Sequence, residues 1–320
     1  DPPAQRFIAA SAKCVTKPLS QVLTQCLKLI QHQLYQENRS QRKRDGFNRF
    51  WIIDNVDGAL SLVNRLNYTQ QFRNVSTWDF STLYTNIPHQ KLKDAMEWVI
   101  DRAFQFGKQR YIVKGFRGFH FTKAENAEEK ISADALKNMV NELIDNIYVQ
   151  FAGRVYRQRI GIPMGTDCAP YLANLFLLSY EWQWVEKKVG EGSAESRAEA
   201  KKFLNCARYI DDLAAMNNDN AMESQRKDIY PTELTLKKEN KVDNSASFLD
   251  LQFTINAGKC ILSPYDKRDA FLFKVVSFPH LSGNIHFRRA HGIVIGQLLQ
   301  KHPHKGVPSF LGCVGLSVNS

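Results

Sequence analysis

The sequence predicts an α+β fold, in which amphipathic helices combine with antiparallel β-hairpins. Apolar residues recur at helical spacing from Leu92 to Ala103, which is typical of an amphipathic helix. Short apolar strands meet at tight turns near Asp211 and Ala257, which is typical of antiparallel hairpins. With 320 residues, 43% of them hydrophobic, the chain is long enough for one large domain or two subdomains.

The charge balance indicates a polyanionic partner. The chain has 43 Lys and Arg residues against 32 Asp and Glu residues, which gives a net charge of +11. Nucleic acid is the leading candidate, because neutralisation of phosphates dominates such binding. A generally basic surface that serves solubility is the alternative.

Cysteine usage and hydropathy restrict the cellular compartment. The six cysteines contain no C-x-x-C pair, which argues against a zinc site or a disulfide framework and favours a reducing environment. There is no apolar run of 18 residues and no signal-peptide pattern, so the expected location is intracellular without a membrane span. The chain begins Asp1-Pro2-Pro3 without a methionine, and we expect a fragment of a longer reading frame.

The N-terminal half is predicted to contain two helices and a strand. The first helix is expected over residues 19–30. The basic and aromatic stretch Glu37–Arg49 is either a nucleic-acid-facing edge or a solvated loop. Val75–Phe80 reads as a short strand, and Pro88 suits the first turn of the following helix. Residues 108–130 are rich in glycine and charge, which predicts a surface hairpin or insertion.

The C-terminal half is predicted to alternate helices with hairpins. Residues 136–151 predict a helix with one apolar face, and a strongly apolar helix is expected at 169–185, after the loop Gly161–Gly165. Residues 190–202 are small and polar, and we expect a mobile segment there. Hairpins and strands are expected at 208–216, 234–238, 248–255 and 260–265.

An adjacent acidic pair, Asp211-Asp212, lies between two apolar runs. Within a strand its side chains would point to opposite faces, and one acid would enter the core. On the turn of a hairpin, both carboxylates could share a divalent cation. A surface turn is the simpler alternative for an isolated pair, since Asp is a favoured turn residue. A third acid, Asp79, lies near the end of a strand of its own, so the three could together supply oxygen ligands to magnesium.

Asp79, Gly161–Gly165 and Tyr209–Asp212 occur in the order of the palm motifs of reverse transcriptases, and the chain resembles that family over about residues 6–300. The resemblance is strongest to the reverse transcriptases of Penelope-like retroelements. Those enzymes have a segment similar to Asp79–Pro88, and a loop-helix similar to Pro163-Met164-Gly165 followed by Ala173–Leu177. Each motif alone is weak, but the ordered set is specific.

The resemblance implies a right-hand polymerase fold: a palm with an antiparallel sheet and helices, partial fingers and a thumb. The implied activity is that of an RNA-directed DNA polymerase, which adds deoxynucleotides to a primer 3′-hydroxyl. The implied domains are partial fingers (1–75), the palm with the catalytic acids (76–250, with the insertion at 108–130), the primer-grip hairpin with a partial thumb (251–300) and a divergent tail (301–320).

The same resemblance assigns the site residues. Asp79, Asp211 and Asp212 are implied to be catalytic and to hold two Mg²⁺ ions, for which Mn²⁺ could substitute, with the Phe80 carbonyl as a further ligand. Tyr84 is implied to exclude a 2′-hydroxyl, with a core tyrosine as the alternative. Other implied substrate contacts are Arg6, Thr82, Leu83, Met164 and Gly165. The implied primer grip is Phe248, Leu249, Asp250 and Leu251, and the general acid is either Lys237 or Lys238.

The implied partners are an RNA template, a DNA primer and dNTPs, with a nuclear site of action and no membrane; the oligomeric state stays open. Two other functions also stay open. A catalytically silent, nucleic-acid-binding remnant is favoured by the short fingers and the aberrant tail. A metal-dependent nuclease would leave Tyr84 and the Pro163–Gly165 loop without a purpose. Arg6 either resembles a triphosphate-binding fingers arginine or is an unrelated basic residue near the terminus.

Overall fold

The structure is a computed structural model, and it describes residues 14–69 and 71–266. The described residues up to Tyr265 belong to one compact unit, and the fold below is that of this unit. Arg6, the predicted thumb beyond residue 266 and the predicted tail lie outside the described residues. The predicted division into fingers, palm and thumb stays a prediction.

The described helices and strands alternate along the chain. The helices are α1 (Lys17–Asp45), α2 (Val56–Thr69), α3 (Leu83–Asn86), α4 (His89–Gln105), α5 (Ala133–Asp145), α6 (Ala169–Gly190), α7 (Ala194–Lys201) and α8 (Ala221–Ile229). The strands are β1 (Val75–Phe80), β2 (Tyr111–Gly115), β3 (Gly118–Thr122), β4 (Lys130–Ile131), β5 (Tyr148–Phe151), β6 (Arg154–Arg157), β7 (Cys206–Tyr209), β8 (Asp212–Met216), β9 (Leu236–Lys238), β10 (Ser245–Phe248), β11 (Leu251–Asn256) and β12 (Lys259–Pro264).

The central sheet has four strands in the order β7-β8-β1-β9, and every neighbouring pair is antiparallel. Its two faces lie in different cores because side chains alternate along each strand. Leu213 and Ala215 of β8 lie in the larger, helical core. Ala214 and Met216 lie in a smaller core on the other face. The predicted α+β fold with an antiparallel sheet is confirmed.

The larger core is built from long helices. In α4 the apolar residues from Leu92 to Phe104 form the predicted stripe, and α4 packs against α1, α5 and α6. Helix α6 is apolar on most of its circumference, so most of its residues from Leu172 to Val185 are buried. The smaller core lies between the sheet, α2 and the three-stranded sheet β10-β11-β12.

Two local predictions and one alternative are wrong. The alternative of a solvated loop fails for Glu37–Asp45, which belongs to α1, because no helix breaker precedes Gly46, which ends the helix with φ +83°. The helix predicted to reach residue 151 ends at Asp145, and Tyr148–Phe151 is the strand β5, rich in residues that favour strands. The segment predicted to be mobile at 190–202 contains α7, because the Ser193 hydroxyl caps it by accepting from the Ser196 N–H.

The described ranges contain no helix that has both the length and the apolar character of a membrane crossing.

Candidate active site

The acidic pair lies at the turn of the hairpin formed by β7 and β8. Tyr209 pairs with Asp212, so Ile210 and Asp211 are the two turn residues. Ile210 has φ +54°, a left-handed conformation that is strained for a β-branched side chain. The Phe80 N–H donates to the Asp211 carbonyl at 3.1 Å and ties the turn to β1. The predicted hairpin is confirmed, with Asp211 on its turn and Asp212 as the first residue of β8.

Strand register brings the third acid to this turn. Asp79 is directly opposite Asp212 in the β1–β8 ladder. Opposed residues of an antiparallel pair project from the same face with Cβ atoms about 4.5–5.5 Å apart. On the other side of β1, Asp79 is opposite Lys237 of β9. A single cross-strand row therefore contains Tyr209, Asp212, Asp79 and Lys237.

Tyr84 lies beside the acidic turn. Partial burial, followed by the negative charge of Asp211 and the neighbouring Tyr209, raises the pKa of Tyr84 to about 12. The residue belongs to α3, the single helical turn that follows β1, and packs against the helical core. Thr82, the residue immediately before α3, is exposed, whereas the Leu83 side chain is buried. A contact between Leu83 and a nucleotide would therefore come from its backbone.

The loop before α6 is fastened to the segment that follows the acidic strand. The Gly161 N–H donates to the Ile87 carbonyl at 2.8 Å, and the Ile162 N–H donates to the Tyr84 carbonyl at 2.6 Å. Gly161 has φ +81°, and a Cβ on it would lie 2.5 Å from the Tyr84 oxygen. Only glycine meets both conditions. Gly161 opens the loop Gly161–Gly165, but sequence reasoning gave it no role of its own and missed this contact.

Met164 and Gly165 are the two central residues of a turn closed by the Thr166 N–H, which donates to the Pro163 carbonyl at 3.1 Å. Asp167 directly follows this turn, and its carboxylate accepts from Lys17 Nζ at 2.8 Å and from the Ser20 hydroxyl at 3.3 Å. This turn is therefore held between α1 and the chain beside Tyr84.

The carboxylates near this turn suit magnesium better than a metal that needs a closed cage of side chains. Within residues 14–69 and 71–266, no group of three or more His, Cys, Asp or Glu side chains is arranged so that it could hold a metal ion, so the chain would supply at most two such side-chain ligands together. Magnesium is usually bound by one or two carboxylates, with waters and substrate phosphates completing its octahedron. Asp79 and Asp212, opposed on one face with Asp211 on the adjoining turn, fit that requirement.

Telomerases are among the solved structures with a similar arrangement of elements. The structure of telomerase from Candida albicans, in complex with the TWJ fragment of telomeric RNA, matches 77% of this chain with a TM-score of 0.53 and 12% identity. The likeness establishes a right-hand polymerase fold. The apo telomerase from Candida tropicalis matches 76% of this chain with a TM-score of 0.49 and 14% identity.

This chain spans 39% of the Candida albicans telomerase chain and 40% of the Candida tropicalis one. No protein-family model matches the chain, and no curated protein matches it in sequence.

The two lysines that are candidates for the general acid differ in position within this polymerase fold. Lys237 is the register partner of Asp79 and is exposed. Lys238 is opposite Trp78 instead, and its ammonium forms an ion pair with Asp243 at 2.7 Å. The geometry therefore separates two residues that sequence reasoning could not.

The four residues of the implied primer grip form the tip of the β10–β11 hairpin. Phe248 pairs with Leu251, so Leu249 and Asp250 are the turn residues, and Leu249 has φ +55°. Phe248 is buried in the smaller core, whereas Asp250 is exposed. The tip thus has one anchored side chain and one that solvent reaches.

A buried polar network supports the acidic turn from the helical side of the polymerase fold. Arg208, 0% exposed, donates Nε and Nη2 to the Glu181 carboxylate at 2.6 and 3.0 Å. Its Nη1 donates to the Ile210 carbonyl at 3.0 Å, and two further bonds reach Asn174. The Tyr230 hydroxyl donates to Glu181 at 2.9 Å. The guanidinium thereby joins the strained turn to α6.

Sequence reasoning missed this network. Its signal was present as two lone charges in apolar surroundings: Arg208 in a buried strand and Glu181 in an apolar helix. A buried charge requires an opposite charge and hydrogen bonds, so two such residues predict each other as partners.

Proposed function

We propose that this chain is the catalytic part of an RNA-directed DNA polymerase, a reverse transcriptase of the Penelope-like retroelement type. The observation that carries the proposal is the register that sets Asp79 opposite Asp212, with Asp211 on the adjoining turn, within a right-hand polymerase fold. The Penelope-like assignment rests on the amino-acid sequence of the motifs, above all Asp79–Pro88.

Asp79, Asp211 and Asp212 would hold two Mg²⁺ ions, with the Phe80 carbonyl as a further ligand. When bound, the ions supply charge stabilisation at the attacking and leaving oxygens of an in-line displacement. The contribution of the chain is to hold the three carboxylates at one end of a rigid sheet. The Phe80-to-Asp211 hydrogen bond and the Arg208 bond to the Ile210 carbonyl both restrain the turn that carries them.

Tyr84 would lie beneath the sugar of the incoming nucleotide and exclude a 2′-hydroxyl. The proximity of Tyr84 to Asp211 supports this, because the sugar lies between the triphosphate and the base. The hydrogen bond from Ile162 to the Tyr84 carbonyl fastens the same residue to the Met164-Gly165 turn. Substrate selection and support of the nucleotide would thus rest on one rigid unit.

Lys237 is the better candidate for the general acid that protonates pyrophosphate. Lys237 shares a row with Asp79 and is exposed, whereas Lys238 is engaged by Asp243. Arg6 stays a proposed triphosphate contact, and Phe248–Leu251 stays the proposed primer grip.

The proposed substrates and partners are an RNA template, a DNA primer and dNTPs, with the nucleus as the site of action. The net charge of +11 supports a nucleic-acid partner. The Candida albicans telomerase of similar fold is described in complex with an RNA fragment.

Primer extension on poly(rA)/oligo(dT) with Mg²⁺ tests the proposal. Asp211→Asn removes a charge without changing the shape of the side chain, and we expect extension to fall at least about a hundredfold with template binding retained. The control is Asp228→Asn, an exposed acid on α8, which should extend as the parent does. Equal extension by parent and Asp211→Asn would refute the metal-ligand assignment.

The same assay separates the two other functions. Nucleic-acid binding by the parent without any extension would identify a catalytically silent remnant. Cleavage without incorporation of nucleotides would identify a nuclease.

A further inference from the structure

A second concave surface, lined by cations, lies away from the acidic turn. This basic pocket has a volume of about 410 Å³. Its charged lining consists of five cations and one carboxylate: Arg42, Arg65, Arg73, Lys201, Lys202 and Asp219. The apolar lining residues are Ala198 and Leu204, so the pocket offers charge and hydrogen bonds rather than an apolar seat.

The single carboxylate of the basic pocket is already engaged. Asp219 accepts from Arg73 Nη2 at 2.8 Å and from Asn74 Nδ2 at 2.8 Å. Partial burial alone would raise the pKa of Asp219, but these hydrogen bonds and the nearby charge of Lys202 hold it below its ordinary value. Asp219 therefore neutralises Arg73 and leaves the other cations of the basic pocket uncompensated.

The other four cations of the basic pocket form no ion pair with any described residue: Arg42, Arg65, Lys201 and Lys202. Burial, and then the positive charge of Arg65, lowers the pKa of Arg42. Arg42 on α1 and Arg65 on α2 thus repel each other across the pocket, and an anion placed between them would relieve that repulsion.

The basic pocket lies at the end of the central sheet that is opposite to the acids. Val75 pairs with Met216 at this end, and Asp79 pairs with Asp212 at the other. Arg73 precedes Val75, and Asn217, another lining residue, follows Met216. At about 3.3 Å per residue, the length of β1 between Val75 and Asp79 is about 13 Å, which is about four base-pair steps of 3.4 Å along the axis of a duplex.

We propose that the basic pocket binds the phosphate backbone of a nucleic-acid strand, as a second contact site separate from the candidate active site. Planar guanidinium groups from α1 and α2 can each hold two phosphate oxygens, and lysines at the end of α7 line the same pocket. Cations on three different helices suit successive phosphates of one strand, and the described lining of the pocket contains no aromatic side chain on which a base could stack. The inference rests on the proposed nucleic-acid partner but does not require catalysis.

The test measures binding of a fluorescein-labelled 20-nucleotide RNA by anisotropy over a series of salt concentrations. Arg42→Gln combined with Arg65→Gln should weaken binding about tenfold or more. The slope of log K against log salt should become shallower by about 1.4, because each lost contact to a single strand contributes about 0.7. The matched control is Lys114→Gln combined with Arg117→Gln, which removes two exposed cations from the β2–β3 hairpin.

Two additions keep the test independent of folding and of catalysis. Arg65→Glu changes one exposed position on α2. It should weaken RNA binding relative to the parent, with an unchanged circular dichroism spectrum. All variants are repeated in an Asp79→Asn background, where the proposed polymerase activity is absent and the effect of the pocket should persist.

Three results would overturn the proposal. The first is a slope of log K against log salt that is the same for the pocket double variant (Arg42→Gln with Arg65→Gln) and for the control double variant in the β2–β3 hairpin. The second is pocket-dependent binding of inorganic phosphate with equal RNA binding by the parent and the pocket variant, which would indicate a site for a single phosphate. The third is pocket-dependent binding of vesicles that contain phosphatidylserine with no pocket-dependent binding of RNA, which would indicate a membrane contact.

Discussion

Replacing Arg208 by Met should destabilise the protein strongly, because the change leaves Glu181 charged and buried without its partner. Both side chains are 0% exposed, and five hydrogen bonds leave the guanidinium. Removal of one partner of a buried pair costs about 3–5 kcal/mol. A domain of ordinary stability has only about 5–15 kcal/mol in total. At about 2–4 °C per kcal/mol, the apparent melting temperature should fall by roughly 6–20 °C.

Thermal unfolding and urea unfolding measure this loss, and a second substitution tests its cause. When Arg208→Met is combined with Glu181→Gln, the stranded charge is gone, and the new amide oxygen can still accept from the Tyr230 hydroxyl. The double variant should therefore be more stable than Arg208→Met alone by at least about 1 kcal/mol. An exposed ion pair gives the matched control: Arg110→Met, beside Glu125, should cost no more than about 1 kcal/mol.

Two results would refute this reasoning. One is a melting temperature of Arg208→Met equal to that of Arg110→Met. The other is a double variant less stable than Arg208→Met, which would mean that the stranded carboxylate was not the cause of the loss.

Two further predictions concern the substrate side of the site. Tyr84→Ala should admit ribonucleotides and lower the ratio of dNTP to rNTP incorporation about tenfold or more, since the half-buried ring no longer fills the space beside Asp211. The control Tyr84→Phe should keep the ratio. Unchanged discrimination in Tyr84→Ala would remove the residue from its proposed role. Gly161→Ala should lower the free energy of unfolding by about 1–3 kcal/mol and slow extension, because its Cβ meets the Tyr84 oxygen at 2.5 Å. Gly153→Ala, also at positive φ but with nothing within 4 Å, separates that collision from backbone strain alone, and equal losses in both would show that the Tyr84 contact is irrelevant.

Much of the local structure follows from patterns that are themselves local. The strand Val75–Phe80 and the stripe of α4 were predictable because the periods of strand and helix are written directly in the sequence. The errors are also local: the charged second half of α1 and the short α7 are helical although neither has a strong apolar stripe. Capping and helix propensity decided these segments, and both are weak signals in a single sequence.

The sequence by itself proposed Asp79, Asp211 and Asp212 for the candidate site and indicated that the acidic pair suits a hairpin turn. Only the tertiary structure decided the strand register that sets Asp79 opposite Asp212 and Lys237 beside it. It also decided that Arg208 meets Glu181 and that Gly161 meets Tyr84. The physical reason is that these contacts join segments far apart in the chain. Their geometry depends on how two cores pack against opposite faces of one sheet, which no local pattern records.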